Sequence, residues 1–283
     1  MDAWLGREWR AGHPEFAALV EGADDEVNLA EAALLVARDA YSELVVADYL
    51  GRLDEMAAEA GGGLAPEVDL DARLAALVAW YTAAGFRGNV TDYYDPRNSY
   101  LNEVMDRRLG IPITLALVLM EVGRRLGVLL TPVGLPGHVV LGWAGPGELF
   151  WLDPFRPATR MTEADCRRRV EEAYGRSLTW NPQWLAPLTP RPFLLRLLNN
   201  LRGVYLGRGE AERVIPVLEK MLLLAPDELS LMRELGVIHL DAGRISLGVR
   251  YLEYFLEHTP PSLDHPPLLR RVQQAARRVA QWN

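Results

Sequence analysis

His138 and Asp153 are the pair in this sequence best suited to proton chemistry. Each sits on a short run of strand-forming residues, His138 opening HVVLGW and Asp153 closing LFWLD, and the two runs follow one another along the chain. A histidine oriented by a carboxylate acts as a general base when a nucleophile lies within hydrogen-bond reach. The best such nucleophile is a thiol at a helix N-terminus, where the dipole lowers its pKa. A helix N-terminus is present at Gly110-Ile111-Pro112, but it carries no thiol. Thr114, one turn further on, has the only nearby hydroxyl, and a threonine attacks only under strong base activation. The other reading of His138 is a structural histidine satisfied by Asp153 or by backbone groups.

Other chemistries find little support. The single cysteine, Cys166, excludes an intramolecular disulfide and a cysteine-based zinc cage; it falls in a helix-like stretch starting near Thr162 and reads as a small buried hydrophobe. His13, His239, His258 and His265 show no metal-ligand spacing, so neither a metal nor a cofactor is expected. Asp92, Asp95 and Asp106 suit loops and caps better than a glycosidase pair. The glycines from Gly61 to Gly63 lie between helical patterns rather than after a strand, which argues against a phosphate loop.

A formal charge of −8 and a pI near 5.3 give no general attraction to nucleic acid. Arginine pairs such as Arg107-Arg108 and Arg124-Arg125 fall at helix ends. No apolar run reaches the roughly 18 residues that would span a membrane, and the opening MDAWLGREWRAGHPEF lacks the pattern of a signal peptide, so the expected location is cytoplasmic.

Several elements must position the His–Asp pair. Apolar residues at intervals of three and four predict helices over Leu29 to Tyr41, Val46 to Met56 and Asp71 to Ala84, giving an N-terminal helical region over residues 1–88. The polar and aromatic stretch from Phe86 to Asn98 is loop chemistry. Asn98 or Ser99 is expected to cap a short helix that has Glu103 in its first turn and stops at Gly110. A new helix begins at once, because Pro112 suits the first helical position. Its continuation from Ile113 to Leu126 is apolar nearly all round and therefore buried.

Val133 to Leu135, His138 to Trp143 and Leu149 to Asp153 follow as strands, the last two joined by the loop AGPGE. If Trp143 faces Leu149 across that loop, His138 lies opposite position 154; a slip of one residue, or a bulge, would bring the His138 and Asp153 side chains to one face. These elements make up a core over residues 89–186.

Trp180 to Pro192 is proline-rich and marks a boundary. Beyond it, residues 34 apart match: Leu201 with Leu235, Gly209 with Gly243, Leu218 with Leu252, Pro226 with Pro260. That period resembles the tetratricopeptide repeat, with Val214 and Gly248 at the two helix crossings and Pro266 to Gln281 as a polar cap. Residues 187–283 then offer a surface to a protein or peptide partner. The fold class is α+β.

The block NSYLNEVMDRRLGIPITL, the strand LPGHVVL and the end WLDPF, in that order, resemble the bacterial SirB family, a transglutaminase-like domain of the papain-like superfamily followed by tetratricopeptide repeats. The likeness runs from about Leu29 to the C-terminal helix. In active members of the superfamily Gly-x-Cys opens the buried helix. Counting back from Leu126-Gly127, the cysteine position falls on Pro112, while His138 and Asp153 match the other two members of the triad. The resemblance thus implies a remodelled site in which His138, Asp153, Thr114 and the polar residues Asn89, Asp95, Arg97, Asn98, Ser99 and Asn102 line a binding pocket, and the family name implies a regulatory role. The reading that follows is a non-catalytic interaction module. The alternative is a hydrolase or acyl transferase that uses His138 and Asp153 with water or Thr114.

Overall fold

A computed structural model describes residues 3–65, 67–145, 149–175, 178–261 and 265–280. The chain opens with α1 (Ala3–Gly12) and α2 (Pro14–Leu19), followed by α3 (Leu29–Ala37), α4 (Val46–Gly61) and α5 (Leu70–Ala83). Asn28 and Asp69 cap α3 and α5 by accepting the backbone N–H groups of Glu31 and Ala72 at 3.2 and 2.8 Å. Then come β1 (Arg87–Gly88), α6 (Leu101–Arg107), β2 (Leu109–Gly110) and α7 (Pro112–Arg125). Four strands follow, β3 (Thr131–Leu135), β4 (His138–Trp143), β5 (Phe150–Asp153) and β6 (Thr159–Met161). The remaining elements are helices: α8 (Glu163–Tyr174), α9 (Pro190–Gly207), α10 (Ala211–Leu224), α11 (Leu229–Asp241), α12 (Ile245–His258) and α13 (His265–Ala280). The class is α+β, mostly helical with a small antiparallel sheet.

Two compact units emerge, residues 22–200 and residues 1–21 together with 201–283. In the first, α7 is the buried axis: Leu115, Ala116, Leu117, Val118, Leu119 and Val122 are all fully buried. Its N-cap, Ile111, has no side-chain acceptor. A missing cap costs about 1 kcal/mol, whereas each buried leucine or valine contributes about 1.5–3 kcal/mol, so packing decides that this helix forms. The antiparallel sheet runs in the order β3-β4-β5-β6. The strand β6 is an addition to the expected three, since three residues are too few to display alternation. The parallel pair β1–β2, two residues each, is invisible for the same reason.

α6 begins later than expected. Tyr100 is its N-cap and makes no side-chain cap, because the Asn98 amide is turned to the carbonyls of Asp92 and Tyr93 at 2.7 and 3.1 Å. The helix also ends early, at Arg107, where Arg108 takes a left-handed conformation with φ 60°. The proline-rich segment after α8 is tied to β3, with Leu188 N–H donating to the Pro132 carbonyl at 2.7 Å and Pro187 bridging Val133. α9 runs unbroken through the division between the units.

In the second unit α10 to α12 follow the 34-residue pattern, and the repeated glycines, Gly209 and Gly243, take positive φ at the turns between helices, 72° and 77°. At the α11–α12 crossing a Cβ on Gly248 would stand 2.8 Å from the Gly236 carbonyl oxygen. α1 and α2 belong to this unit. The Trp9 indole donates to the Tyr251 hydroxyl at 2.7 Å, and His13 links Glu219 (2.9 Å) with Lys220 (3.0 Å), the only lysine in the chain.

Candidate functional site

The β3–β4 hairpin turns on Pro136-Gly137. Proline at the second turn position and glycine at φ 68° in the third are the requirements of a type II turn. This turn sets His138 as the first residue of β4. Across the next hairpin Trp143 pairs with Phe150 and Leu141 with Leu152. The register is therefore one residue longer than a five-residue loop gives, although residues 146–148 of that loop lie outside the described residues. Extended along the strands, it sets His138 opposite position 155, so Asp153, two residues away, shares its face.

The two side chains meet. His138 Nε2 is 2.8 Å from Asp153 Oδ1, and both groups are almost wholly buried. Oδ1 also accepts Phe155 N–H at 3.0 Å. Burial pushes the Asp153 carboxyl up, but the hydrogen bond and attraction from His138, the Phe155 amide and Arg169 together hold it below the usual carboxylate range. An ionised carboxylate only accepts, so His138 Nε2 donates to it, and in the neutral imidazole Nδ1 is then the acceptor.

Neighbouring residues fix this pair. The Phe155 ring stands edge-on to the His138 imidazole, with centroids 6.1 Å apart. Gly88 lets it approach, because a Cβ there would lie 2.3 Å from the ring, and Gly88 N–H bonds the Phe155 carbonyl at 3.0 Å. The Tyr81 hydroxyl donates to the Pro154 carbonyl at 2.9 Å.

His138 borders a cleft of about 390 Å³, within the size range of small-ligand sites. Pro112 and Ile113 form part of its wall, so the opening of α7 faces the same space as His138. Tyr93, Tyr174, Arg196, Asn199 and Asn200 complete its polar lining. Arg196 Nη2 donates to the carbonyls of Leu135 and His138, the latter at 2.7 Å. Asp153 borders a separate, smaller cavity of about 110 Å³ with Arg156, Arg160 and Arg169.

The other residues singled out in the sequence form an internal polar seam at the opening of α7. Asn89 donates to Asn98 at 3.1 Å, and Asp95 pairs with Arg97 at 2.7 Å and lies 3.6 Å from Arg107. Ser99 N–H bonds the Pro96 carbonyl at 2.9 Å, and Asn102 is buried. Thr114, 0% exposed, accepts Ile111 N–H at 3.2 Å and donates to the Asn98 carbonyl at 2.7 Å, which closes the helix opening that Ile111 cannot cap. None of these seven residues borders the cleft. Among the described residues no three His, Cys, Asp or Glu side chains come together in a way that could hold a metal ion, and no helix is long and apolar enough to cross a membrane.

Residues 47–199 match the family model described as transglutaminase-like superfamily, and residues 201–279 match that of the tetratricopeptide repeat. A UPF0162 protein from Xylella fastidiosa strain Temecula1 is 33% identical over 245 residues, 84% of this chain and 86% of that protein. The chain belongs to the UPF0162 family. A second UPF0162 protein, from Pseudomonas aeruginosa, is 30% identical over 198 residues, 70% of this chain and 72% of its own. F-box only protein 21 of Mus musculus is 27% identical over 181 residues, 59% of this chain but 28% of that longer protein. No solved structure gives a significant match.

The two family models of this UPF0162 chain meet where its compact units meet, in the middle of α9. The SirB-like architecture inferred from three sequence blocks is therefore correct. What those blocks did not show is Arg196, which comes to the cleft from a helix that reads only as amphipathic. Pro136-Gly137, by contrast, was a legible turn signal.

Proposed function

We propose that this UPF0162 member is a non-catalytic transglutaminase-like protein, a binding and regulatory module that engages a protein or peptide through its repeats and through the cleft beside His138. The observation that carries this reading is Pro112: the first residue of α7, in the wall of the cleft, is an imino acid with no nucleophilic atom. The only sulfhydryl lies elsewhere. Cys166 is fully buried in a cluster with Val140, Trp151 and Val170, and burial, with help from Asp165 and Asp153, pushes its thiol up to about 12. Thr114 offers no substitute, since its hydroxyl is closed off inside the polar seam. Recurrence of a related segment as a minor part of F-box only protein 21 fits a module that serves a larger assembly. Tetratricopeptide repeats generally mediate protein–protein contacts.

A second reading keeps one observation in its favour. His138 Nδ1 has no hydrogen-bond partner among the described residues, so a water in the cleft would meet a base already oriented by Asp153. Turnover assays with amide, peptide and ester substrates separate the two. The binding-module reading requires rates at background for the native chain; hydrolysis that is well above background and abolished in His138→Ala would establish the hydrolase instead.

A further inference from the structure

The cleft is unusual for a chain of net charge −8, because among the described residues no carboxylate lines it. Arg196 sits in its wall with Nη2 occupied by two backbone carbonyls, while Nε and Nη1 have no partner among the described residues. Burial pulls this guanidinium below its ordinary value, which is the mark of a cation short of compensating charge; Tyr174 and Tyr93 offset only part of it. Ile113 lies in the same wall, at the second position of a 14-residue helix whose N-cap side chain cannot accept. Its N–H is one of the orphan donors at the positive end of the dipole, and it too has no partner among the described residues. His138 contributes the opposite polarity, a 95% buried imidazole whose Nδ1 lone pair is an acceptor.

Two donor groups suited to a carboxylate beside one acceptor suited to an amide N–H make a specific pattern. We propose that the cleft binds an N-acylated α-amino acid carboxylate, the chemistry of a peptide C-terminus, with the carboxylate on Arg196 and Ile113 N–H and the preceding amide N–H donated to His138 Nδ1. This inference rests on the binding role proposed above for the cleft and names its ligand. With Nη2 held by the two carbonyls, a remaining guanidinium N–H serves one carboxylate oxygen as a charge-assisted donor and Ile113 N–H serves the other. Val139 and Pro136 give apolar wall for the terminal side chain.

Isothermal titration of the full chain with N-acetyl-Ala-Ala as the free acid, with its C-terminal amide, with N-acetylalanine and with inorganic phosphate tests the idea. The free acid should bind saturably, and the amide should bind at least about tenfold more weakly, since it loses the charge-assisted pair. N-acetylalanine binding as well as the dipeptide would identify a free acylamino acid as the source; tighter binding of the dipeptide would identify a chain terminus. Arg196→Lys, checked for folding by its melting curve, should weaken the free acid by about tenfold or more. Asn199→Asp, which leaves the Arg196 bonds to Leu135 and His138 in place but adds a carboxylate to the cleft, should do the same without touching the amide. Equal binding of acid and amide, tighter binding of phosphate, or no binding up to a Kd of about 10 mM would overturn the proposal. Those results leave the turnover assays untouched, so failure of the ligand assignment and failure of the non-catalytic reading are separable.

Discussion

Pro112 satisfies two demands that point in different directions. For the backbone it is favourable, since its φ is preset and its missing N–H is one that the first turn of α7 would leave unpaired. For the site, on the reading proposed above, it stands where a thiol served by His138 and Asp153 would be. Pro112→Cys in a Cys166→Ala background should therefore fold, losing at most about 1 kcal/mol through the freer unfolded chain. Its thiol, at a helix N-terminus and across the cleft from His138, should titrate below the roughly 8.5 of free cysteine. Iodoacetamide labelling at acidic pH measures this, and a folded, accessible variant that labels no faster than an unperturbed thiol would show that the His–Asp pair has lost its catalytic geometry. Asp153 supplies a second prediction. Its folded pKa lies below the unfolded value of about 3.9, so its ionised form stabilises the fold above that pH, and the contribution drains away as the pH falls through it towards the folded value. Asp153→Asn should flatten the acid limb of the stability curve, as read by urea titrations between about pH 3 and about pH 7; an unchanged limb would mean that the pair is not linked to folding. At this scale the sequence was informative where a residue's type dictates its role, as for His138, Asp153 and Pro112. It was silent on Arg196, which reaches the cleft only through tertiary packing.

At the scale of elements, the pair β1–β2 is the smallest and among the most consequential. It holds Gly88 against the Phe155 ring, and that ring holds the imidazole. Gly88→Ala should force the ring aside, costing about 1–3 kcal/mol as overpacking does, and should shift the His138 ring proton resonances through the altered aromatic neighbour. A variant with native stability and unmoved resonances would show that the contact is not restraining the site. Long periodic elements, α4, α5, α7 and the repeat helices, were legible because burial of one face imposes a spacing. The polar seam was not. Asn89, Asp95, Asn98, Ser99 and Thr114 looked like ligand-facing residues because a buried network and a binding surface use the same side chains. Only their partners tell the two apart, and here those partners are largely one another and the local backbone.

At the scale of the molecule, the first 21 residues share a compact unit with the repeats. Trp9, Phe16 and Val20 are nearly fully buried within it, each contributing about 1.5–3 kcal/mol on the usual scale of apolar burial. Deleting residues 2–21 should consequently remove several kcal/mol, a large share of a typical total of about 5–15 kcal/mol. It should lower the melting temperature of the repeat unit while leaving residues 22–200 cooperative. Hydrogen exchange resolved by segment would check it; unchanged protection in α10 and α12 would contradict the grouping. Local periodicity gives each of these helices its apolar face and says nothing about which face, far along the chain, receives it.

The Trp9–Tyr251 hydrogen bond spans 242 positions. On a ribosome the two halves of that contact are made 242 residues apart, and at about 5–20 residues per second the interval is on the order of 10–50 seconds. During it residues 22–200 can close around α7, but Trp9 and Phe16 have nothing to pack against. The nascent chain therefore leaves Trp9 and Phe16, side chains that the folded unit buries, uncovered for longer than any contact within residues 22–200 must wait.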